Sequence, residues 1–76
     1  MASIEKIIVR LRTAHGTVSF GDVRKVAEHF GFRLDRIAGS HHIFVAPGRN
    51  HISIAVHRKK VKIIYVKKLF EELGIE

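Results

Sequence analysis

Residues 41–56 read HHIFVAPGRNHISIAV, two β-rich runs on either side of a Pro-Gly-Arg-Asn turn signal. Proline presets the backbone for a turn and glycine accepts the left-handed conformation that many turns need. The runs 41–46 and 51–56 are therefore predicted to pair as an antiparallel hairpin. With a four-residue loop the facing pairs are Val45–Ile52, Ile43–Ile54 and His41–Val56. These pairs form one apolar face with His41 at its rim, and the other face carries His42, Phe44, His51, Ser53 and Ala55. A change of one residue in loop length exchanges the two faces.

Two helices are predicted before this hairpin. The first has apolar residues at helical spacing and ends at Gly16. Its apolar positions are Ile4, Ile7, Ile8 and Leu11. The second begins at Ser19, which forms a capping-box pattern with Asp22, and ends before Gly31, a residue suited to the left-handed position after a helix. Its apolar positions are Val23, Val26, Ala27 and Phe30.

The remaining elements complete an α+β fold. Residues 32–37 are predicted to form a short strand, residues 38–40 a turn and residues 58–62 a basic loop. A last helix ends at Gly74, and its start stays open because residues 61–66 also fit a β run. The predicted order is α-α-β-β-β-α, in which a three-stranded antiparallel sheet packs on helices.

Length and composition limit the class of protein. The 76 residues suit one small domain, and an apolar content of 46% with a single proline argues against disorder. The absence of cysteine excludes disulfides, thiolate zinc sites and a cysteine nucleophile. No apolar run approaches the roughly 18 residues of a membrane span, and no signal-peptide pattern opens the sequence. We therefore expect a cytoplasmic protein with no membrane partner.

The charge is strongly positive and unevenly distributed. Lysine and arginine total 14 against 7 acidic residues, a formal net charge of +7, and no acidic residue lies between positions 36 and 70. A field of one sign over half of a small protein attracts a polyanion, and we expect that polyanion to be a nucleic acid. A merely solvated basic face is the alternative.

Several kinds of active site do not fit the sequence. The basic half has no carboxylates for a two-metal nuclease, and the histidines match no helical metal-binding spacing. The glycines are scattered, so a phosphate-binding loop is absent, and we expect no metal and no cofactor. Histidine chemistry on RNA remains. An imidazole can accept the proton of the ribose 2′-hydroxyl or donate one to the leaving 5′-oxygen, and nearby cations stabilise the charge that develops on the phosphate.

Residues 39–44, Gly-Ser-His-His-Ile-Phe, resemble a motif of the HicA family of bacterial toxins. The similarity begins with Phe30-Gly31-Phe32 and the basic Arg36, continues through the Pro-Gly turn, and ends at Gly74-Ile75. It covers roughly residues 19–75, so that residues 1–16 are interpreted as an N-terminal helical extension within one domain, 1–76. The resemblance implies a fold like that of double-stranded-RNA-binding domains, ribosome-independent cleavage of mRNA, and neutralisation by a HicB-like antitoxin.

The resemblance also implies roles for particular residues. The family's catalytic histidine corresponds to His41, and Gly39 and Ser40 form the turn that presents it. His57 corresponds to a second histidine of the family, although Ala55 stands where the family has proline. The Gly-Thr pair that usually opens the last helix is also missing, with Ile64-Tyr65 in its place.

Other residues are candidates for contacts with RNA. Cationic side chains position phosphates without reading the base sequence. The candidates are Arg33, Arg36, Lys59, Lys60 and Lys62. On the predicted register Phe44 would be free to stack on a base, although an aromatic residue in a strand more often belongs to the core. The other histidines, including His15 and His29, are interpreted as structural or surface residues.

Three non-enzymatic functions stay open. A winged helix-turn-helix protein would use residues 19–30 to read DNA and would place Arg49 at the tip of its hairpin wing. A double-stranded-RNA-binding domain without catalysis would recognise duplex shape and 2′-hydroxyls. A protein-interaction module would present its positive face to an acidic partner.

Overall fold

The computed structural model describes residues 3–75, which contain three helices and five strands. Their order along the chain is α1 (Ile4–Thr13), β1 (Thr17–Ser19), α2 (Phe20–His29), β2 (Arg33–Ala38), β3 (His41–Val45), β4 (Ile52–His57), β5 (Lys60–Lys62) and α3 (Ile63–Leu73). The strands form one sheet in the order β1-β5-β4-β3-β2, and every neighbouring pair is antiparallel. The predicted α+β class is confirmed. Residues 1, 2 and 76 of the predicted domain lie outside the described residues.

The predicted three-stranded sheet is wrong in its number of strands, because the predicted order contains neither β1 nor β5 and offers a β run at 61–66 only as an alternative start of the last helix. Each has only three residues, too few to show an alternating pattern, and β5 contains two lysines around Val61. Val61 is nevertheless fully buried and pairs with Val18 on one side and Val56 on the other. The predicted basic loop is therefore a tight turn at residues 58–59 followed by an inner strand of the sheet.

The three predicted helices are confirmed. Gly31 follows α2 with a φ of +92°, and Gly74 ends α3 with a φ of +74°, a conformation that glycine adopts without steric cost. The open question about the last helix is answered: residues 60–62 are strand, and the helix begins at Ile63.

The start of α2 differs from the predicted capping box. Ser19 is the N-cap residue, but its side chain makes no capping hydrogen bond. The Asp22 carboxylate instead pairs with Arg10 of α1 at 3.3 Å. The Phe20 N–H, one of the free donors at the helix start, donates to the Lys59 carbonyl at 2.9 Å. The helix is thus anchored by neighbouring elements rather than by its own side chains.

The predicted register of the β3–β4 hairpin is wrong by one residue. The observed partners are Phe44–Ile52, Ile43–Ser53, His42–Ile54 and His41–Ala55. The cause lies in the turn, where the Arg49 N–H donates to the Ala46 carbonyl at 3.2 Å. Ala46 therefore belongs to the turn and not to β3, which ends at Val45, so that the loop is one residue longer than the predicted four. Only β3 is turned over relative to the prediction: Ile52 and Ile54 of β4 stay on the buried face, and Phe44 takes the place predicted for Ile43 and Val45. Phe44 and Ile54 are completely buried.

The helices cover one face of the sheet and leave the other uncovered. Ile7 and Leu11 of α1 belong to the same buried cluster as residues of α2, α3 and the inner face of the sheet, so α1 packs on the core. We call the uncovered side the open face. It carries Thr17, Ser19, Arg33, Arg36, Ala38, His41, Ile43, Val45, Ser53, Ala55, His57, Lys60 and Lys62. No helix within residues 3–75 is long and apolar enough to cross a membrane.

Candidate nucleic-acid interface

His41 begins strand β3 directly after a two-residue turn. Ala38 and His41 are paired across this turn, which consists of Gly39, with a φ of +62°, and Ser40. Glycine at the first central position is typical of a tight hairpin turn. The turn places the His41 side chain on the open face, where it is exposed. The expectation that His41 lies at the rim of the apolar face is therefore wrong, since the true register turns it to solvent.

The His41 imidazole is oriented by Ser53 on the neighbouring strand. Its Nδ1 lies 3.1 Å from the Ser53 hydroxyl oxygen, and Nε2 makes no hydrogen bond within residues 3–75. The ladder hydrogen bond here joins Val56 N–H to Ser40 C=O at 2.8 Å, so His41 and Ala55 form the type of pair in which side chains approach most closely. Alanine at that position leaves room for the ring. The resulting arrangement fixes one ring nitrogen and leaves the other available to a substrate.

His57 lies on the same face as His41, in the last position of β4. It is exposed and directly opposite Lys60 of β5. Because His41 pairs with Ala55, His57 is its diagonal neighbour, a relation that separates residues by about 7–8 Å in antiparallel sheets. The two predicted histidines and one predicted lysine are thus brought together on one surface.

The predicted cationic residues fall into two groups. Arg33 and Arg36 flank Asp35 on β2, with contacts of 3.5 Å and 2.8 Å to its two carboxylate oxygens. Their positive charge is partly compensated by this carboxylate. The second group lies at the β4–β5 hairpin and consists of Lys59, Lys60 and Lys62. These three lysines are exposed and make no ion pair within residues 3–75.

Two aromatic rings expected on the free side of the hairpin are on the helix side instead. Phe44 is completely buried, so the idea that it stacks on a base is wrong. His42 is half-buried against Phe20, with 4.7 Å between ring centroids, and its Nδ1 has no hydrogen-bond partner in the described chain. Both changes follow from the one-residue difference in register.

Arg49 is not available for the role that a winged helix-turn-helix would give it. Its guanidinium lies 5.5 Å from the centroid of the Phe32 ring, pairs with the Glu72 carboxylate at 3.7 Å, and donates to the Glu72 carbonyl. This residue fastens the tip of the hairpin to the end of α3. The hairpin therefore does not present a free cationic tip.

His41 and His57 border neither of two surface grooves of the described chain. One groove, of about 500 Å³, lies between α1 and α3 and is lined by residues such as Leu11, Val66 and Phe70. The other, of about 390 Å³, reaches the open face at Arg33 and Val45, at the end of β3 away from His41. Within residues 3–75 no three histidine or carboxylate side chains come together as a metal site would require. An exposed cationic surface with two histidines is suited to an extended polyanion.

Two residues with a place in this site were missed from the sequence. The sequence places Ser53 on the outward side of β4, and its contact with His41 exists only in the observed register. Arg58 belongs to the predicted basic loop and not to the predicted RNA contacts, and it occupies the turn next to His57.

Comparison with protein families finds a match over residues 20–75 to the family described as the HicA toxin of bacterial toxin-antitoxin systems. The matched segment runs from the first residue of α2 to beyond the end of α3 and includes the whole of β2 to β5. Helix α1 and strand β1 lie before it. No curated protein and no solved structure gives a match.

Proposed function

The chain belongs to the HicA toxin family, and from that premise we propose that it is an endoribonuclease that cleaves mRNA without a metal ion. Membership makes it a toxin of a toxin–antitoxin system with an antitoxin as its partner. We further propose that this antitoxin is HicB-like and that the toxin acts in the cytoplasm. The observation that carries the nuclease proposal is the exposed His41 imidazole, held through Nδ1 by Ser53, on a face with lysines that make no ion pair within residues 3–75.

The proposed reaction uses the RNA's own nucleophile. The ribose 2′-oxygen attacks the adjacent phosphorus, its proton passes to an imidazole, and the bond from phosphorus to the 5′-oxygen breaks as that oxygen takes up a proton. His41 Nε2 is suited to one of these transfers, because the contact with Ser53 occupies the other nitrogen. His57, as the diagonal neighbour on the open face, is the candidate for the second. A neutral imidazole accepts a proton and its protonated form donates one near neutral pH.

The lysines supply the electrostatic part of the mechanism. Lys60 faces His57 across the β4–β5 pair, and Lys62 follows it on the same face. A cation beside the attacked phosphate stabilises the additional negative charge of the transition state, a task that a metal ion performs in other nucleases. Arg33 and Arg36 are assigned to more distant phosphates of the same RNA strand, because each already forms an ion pair with Asp35.

The double-stranded-RNA-binding-like fold also belongs to this proposal. From α2 to α3 the element order is α-β-β-β-β-α, which differs from the predicted three-stranded arrangement only by the short β5. A module of this kind that binds RNA without cutting it is the alternative function. It would use the same cations and would have no need of an oriented imidazole.

Cleavage in the presence of EDTA tests the proposal. Purified protein incubated with end-labelled mRNA is expected to produce fragments at the same rate with and without the chelator, because the proton transfers use histidines and the charge is balanced by lysines. RNA that is bound but left intact would identify the non-catalytic alternative. Activity abolished by EDTA and restored by Mg²⁺ would show that a metal carries the chemistry.

Replacing Ser53 by alanine tests the orientation of His41. We expect about a tenfold fall in kcat, because the ring loses the partner that holds Nδ1, while the dissociation constant for RNA changes little. Threonine keeps the hydroxyl and suits a strand, so Ser53→Thr is expected to retain most of the activity. Equal loss in both variants would show that the hydroxyl has no part in positioning the imidazole.

A further inference from the structure

The β4–β5 turn is the strained point of the backbone. Arg58 has a φ of 52° and Lys59 a φ of 63°, both in the left-handed region that side chains with a Cβ rarely adopt. Every other residue with positive φ between positions 3 and 75 is a glycine: Gly16, Gly31, Gly39, Gly48 and Gly74. Where this chain needs a left-handed backbone it uses glycine, except at two adjacent positions that both carry a positive charge.

The shape of the backbone does not account for these two residues. His57 and Lys60 pair directly, so Arg58 and Lys59 are the central residues of a two-residue hairpin turn with positive φ at both positions. Asn-Gly is the pair that favours this turn. The hydrogen bond from Phe20 N–H to the Lys59 carbonyl, which ties the turn to the start of α2, would be made equally well by glycine. The backbone geometry of the turn therefore does not explain why arginine and lysine occupy positions 58 and 59.

The position of the turn suggests that reason. Strands β3 and β4 are antiparallel, and the Val56 N–H bonds to the Ser40 carbonyl, so the 58–59 turn and the Gly39-Ser40 turn lie side by side at one end of the sheet. His41 and His57 both lie at this end of the sheet, on the open face. Both Arg58 and Lys59 are exposed and make no ion pair within the described part of the chain.

We propose that the Arg58-Lys59 turn is a phosphate-binding site that grips the RNA backbone beside the nucleotide held at His41, and that the strained conformation persists because these two cations are needed there. Strain of this kind is tolerated where function requires a particular side chain. The proposal rests on the proposed function for the identity of the polyanion as RNA. Under this proposal Arg58 binds RNA, and the turn is the principal contact for a phosphate that flanks the reacting nucleotide. Arg33 and Arg36, which pair with Asp35, are not that contact.

A variant of the turn that gains thermal stability but loses affinity for RNA would support this site. The double variant Arg58→Asn, Lys59→Gly relieves the strain and removes both charges. We expect its Tm to rise by about 4–8 °C. Its affinity for a fluorescein-labelled single-stranded RNA, measured by anisotropy in a His41→Ala background at about 50 mM salt, is expected to fall at least about tenfold. The slope of log affinity against log salt should fall by about 1.4, since each phosphate contact with a single strand contributes about 0.7.

Two further variants separate charge from strain and from position. Arg58→Gln with Lys59→Gln keeps the strained backbone, so it is expected to lose the same affinity without a gain in Tm. Lys67→Gln with Lys68→Gln removes two exposed charges from α3, on the helix side of the sheet, and should change affinity and salt slope much less. If the turn variants lose no more affinity than this α3 variant, the phosphate site is ruled out. An unchanged Tm in the Asn-Gly variant would overturn the argument from strain.

The outcome for the turn can be separated from the outcome for the nuclease. RNA cleavage by the unmodified protein, together with full affinity in the turn variants, would remove the phosphate site and leave the nuclease. Loss of affinity in the turn variants, in a protein that never cuts RNA, would keep the phosphate site and remove the nuclease.

Discussion

Replacing His41 by alanine is expected to abolish detectable RNA cleavage and the arrest of growth on expression. Loss of a general acid or base lowers the rate by about 10²–10⁴-fold, and no other imidazole shares the contact that His41 makes with Ser53 within residues 3–75. The side chain is exposed, so its removal leaves the core intact and the variant should keep the Tm of the unmodified protein. Cleavage of a labelled mRNA and growth after induction are the two measurements.

His51 provides the matched control for this experiment. It is an exposed histidine that precedes β4 at the end of the sheet away from the Gly39-Ser40 turn. The His51→Ala variant loses the same group and is expected to cleave RNA at close to the original rate. A His41→Ala protein that cleaves as fast as the His51→Ala protein would take His41 out of the mechanism.

Replacing Phe44 by alanine is expected to lower the free energy of unfolding by about 3–5 kcal/mol, the typical effect of removing a buried phenyl ring. Phe44 is completely buried in the cluster that joins the sheet to the helices. A domain of this size has a total stability of roughly 4–11 kcal/mol, so the variant lies close to unfolding. Denaturation by urea, followed by circular dichroism, measures the change.

Ile43 is the control that tests the register itself. It lies next to Phe44 but on the open face and is only half-buried, so Ile43→Ala is expected to cost at most about 1–2 kcal/mol. Phe44→Leu, which keeps most of the volume, should cost less than about 1.5 kcal/mol and remain measurable if the alanine variant does not fold. A larger loss for Ile43→Ala than for Phe44→Ala would restore the register predicted from a four-residue loop.

The sequence predicts best those elements whose signal is local. The three helices follow from apolar spacing, and Gly31 and Gly74 mark helix ends where a left-handed residue is needed. The register of the hairpin depends on where the turn closes, and the bond from Arg49 to Ala46 is not visible in the composition of the turn. Strands β1 and β5 are not predicted from the sequence, because their pairing partners, and not their own three residues, determine that they are strands.

In the candidate site, too, features set by neighbouring residues could be predicted and features set by strand pairing could not. The Gly39-Ser40-His41 motif is continuous in sequence, so its turn and its histidine could be identified directly. The role of Ser53 depends on the pairing of β3 with β4, and an error of one residue puts it beside the wrong neighbours. The strain at Arg58 and Lys59 is also a property of the folded hairpin, because nothing in the residues themselves requires a positive φ.

The chemical ends of the RNA fragments distinguish attack by the ribose 2′-hydroxyl from attack by water. If the His41 imidazole acts on the ribose 2′-hydroxyl, mass spectrometry of the products will find a 2′,3′-cyclic phosphate, or the phosphate formed from it by hydrolysis, on one fragment and a 5′-hydroxyl on the other. Fragments that end in a 3′-hydroxyl and a 5′-phosphate would show that water attacked the phosphorus, and would rule out the proposed role of His41.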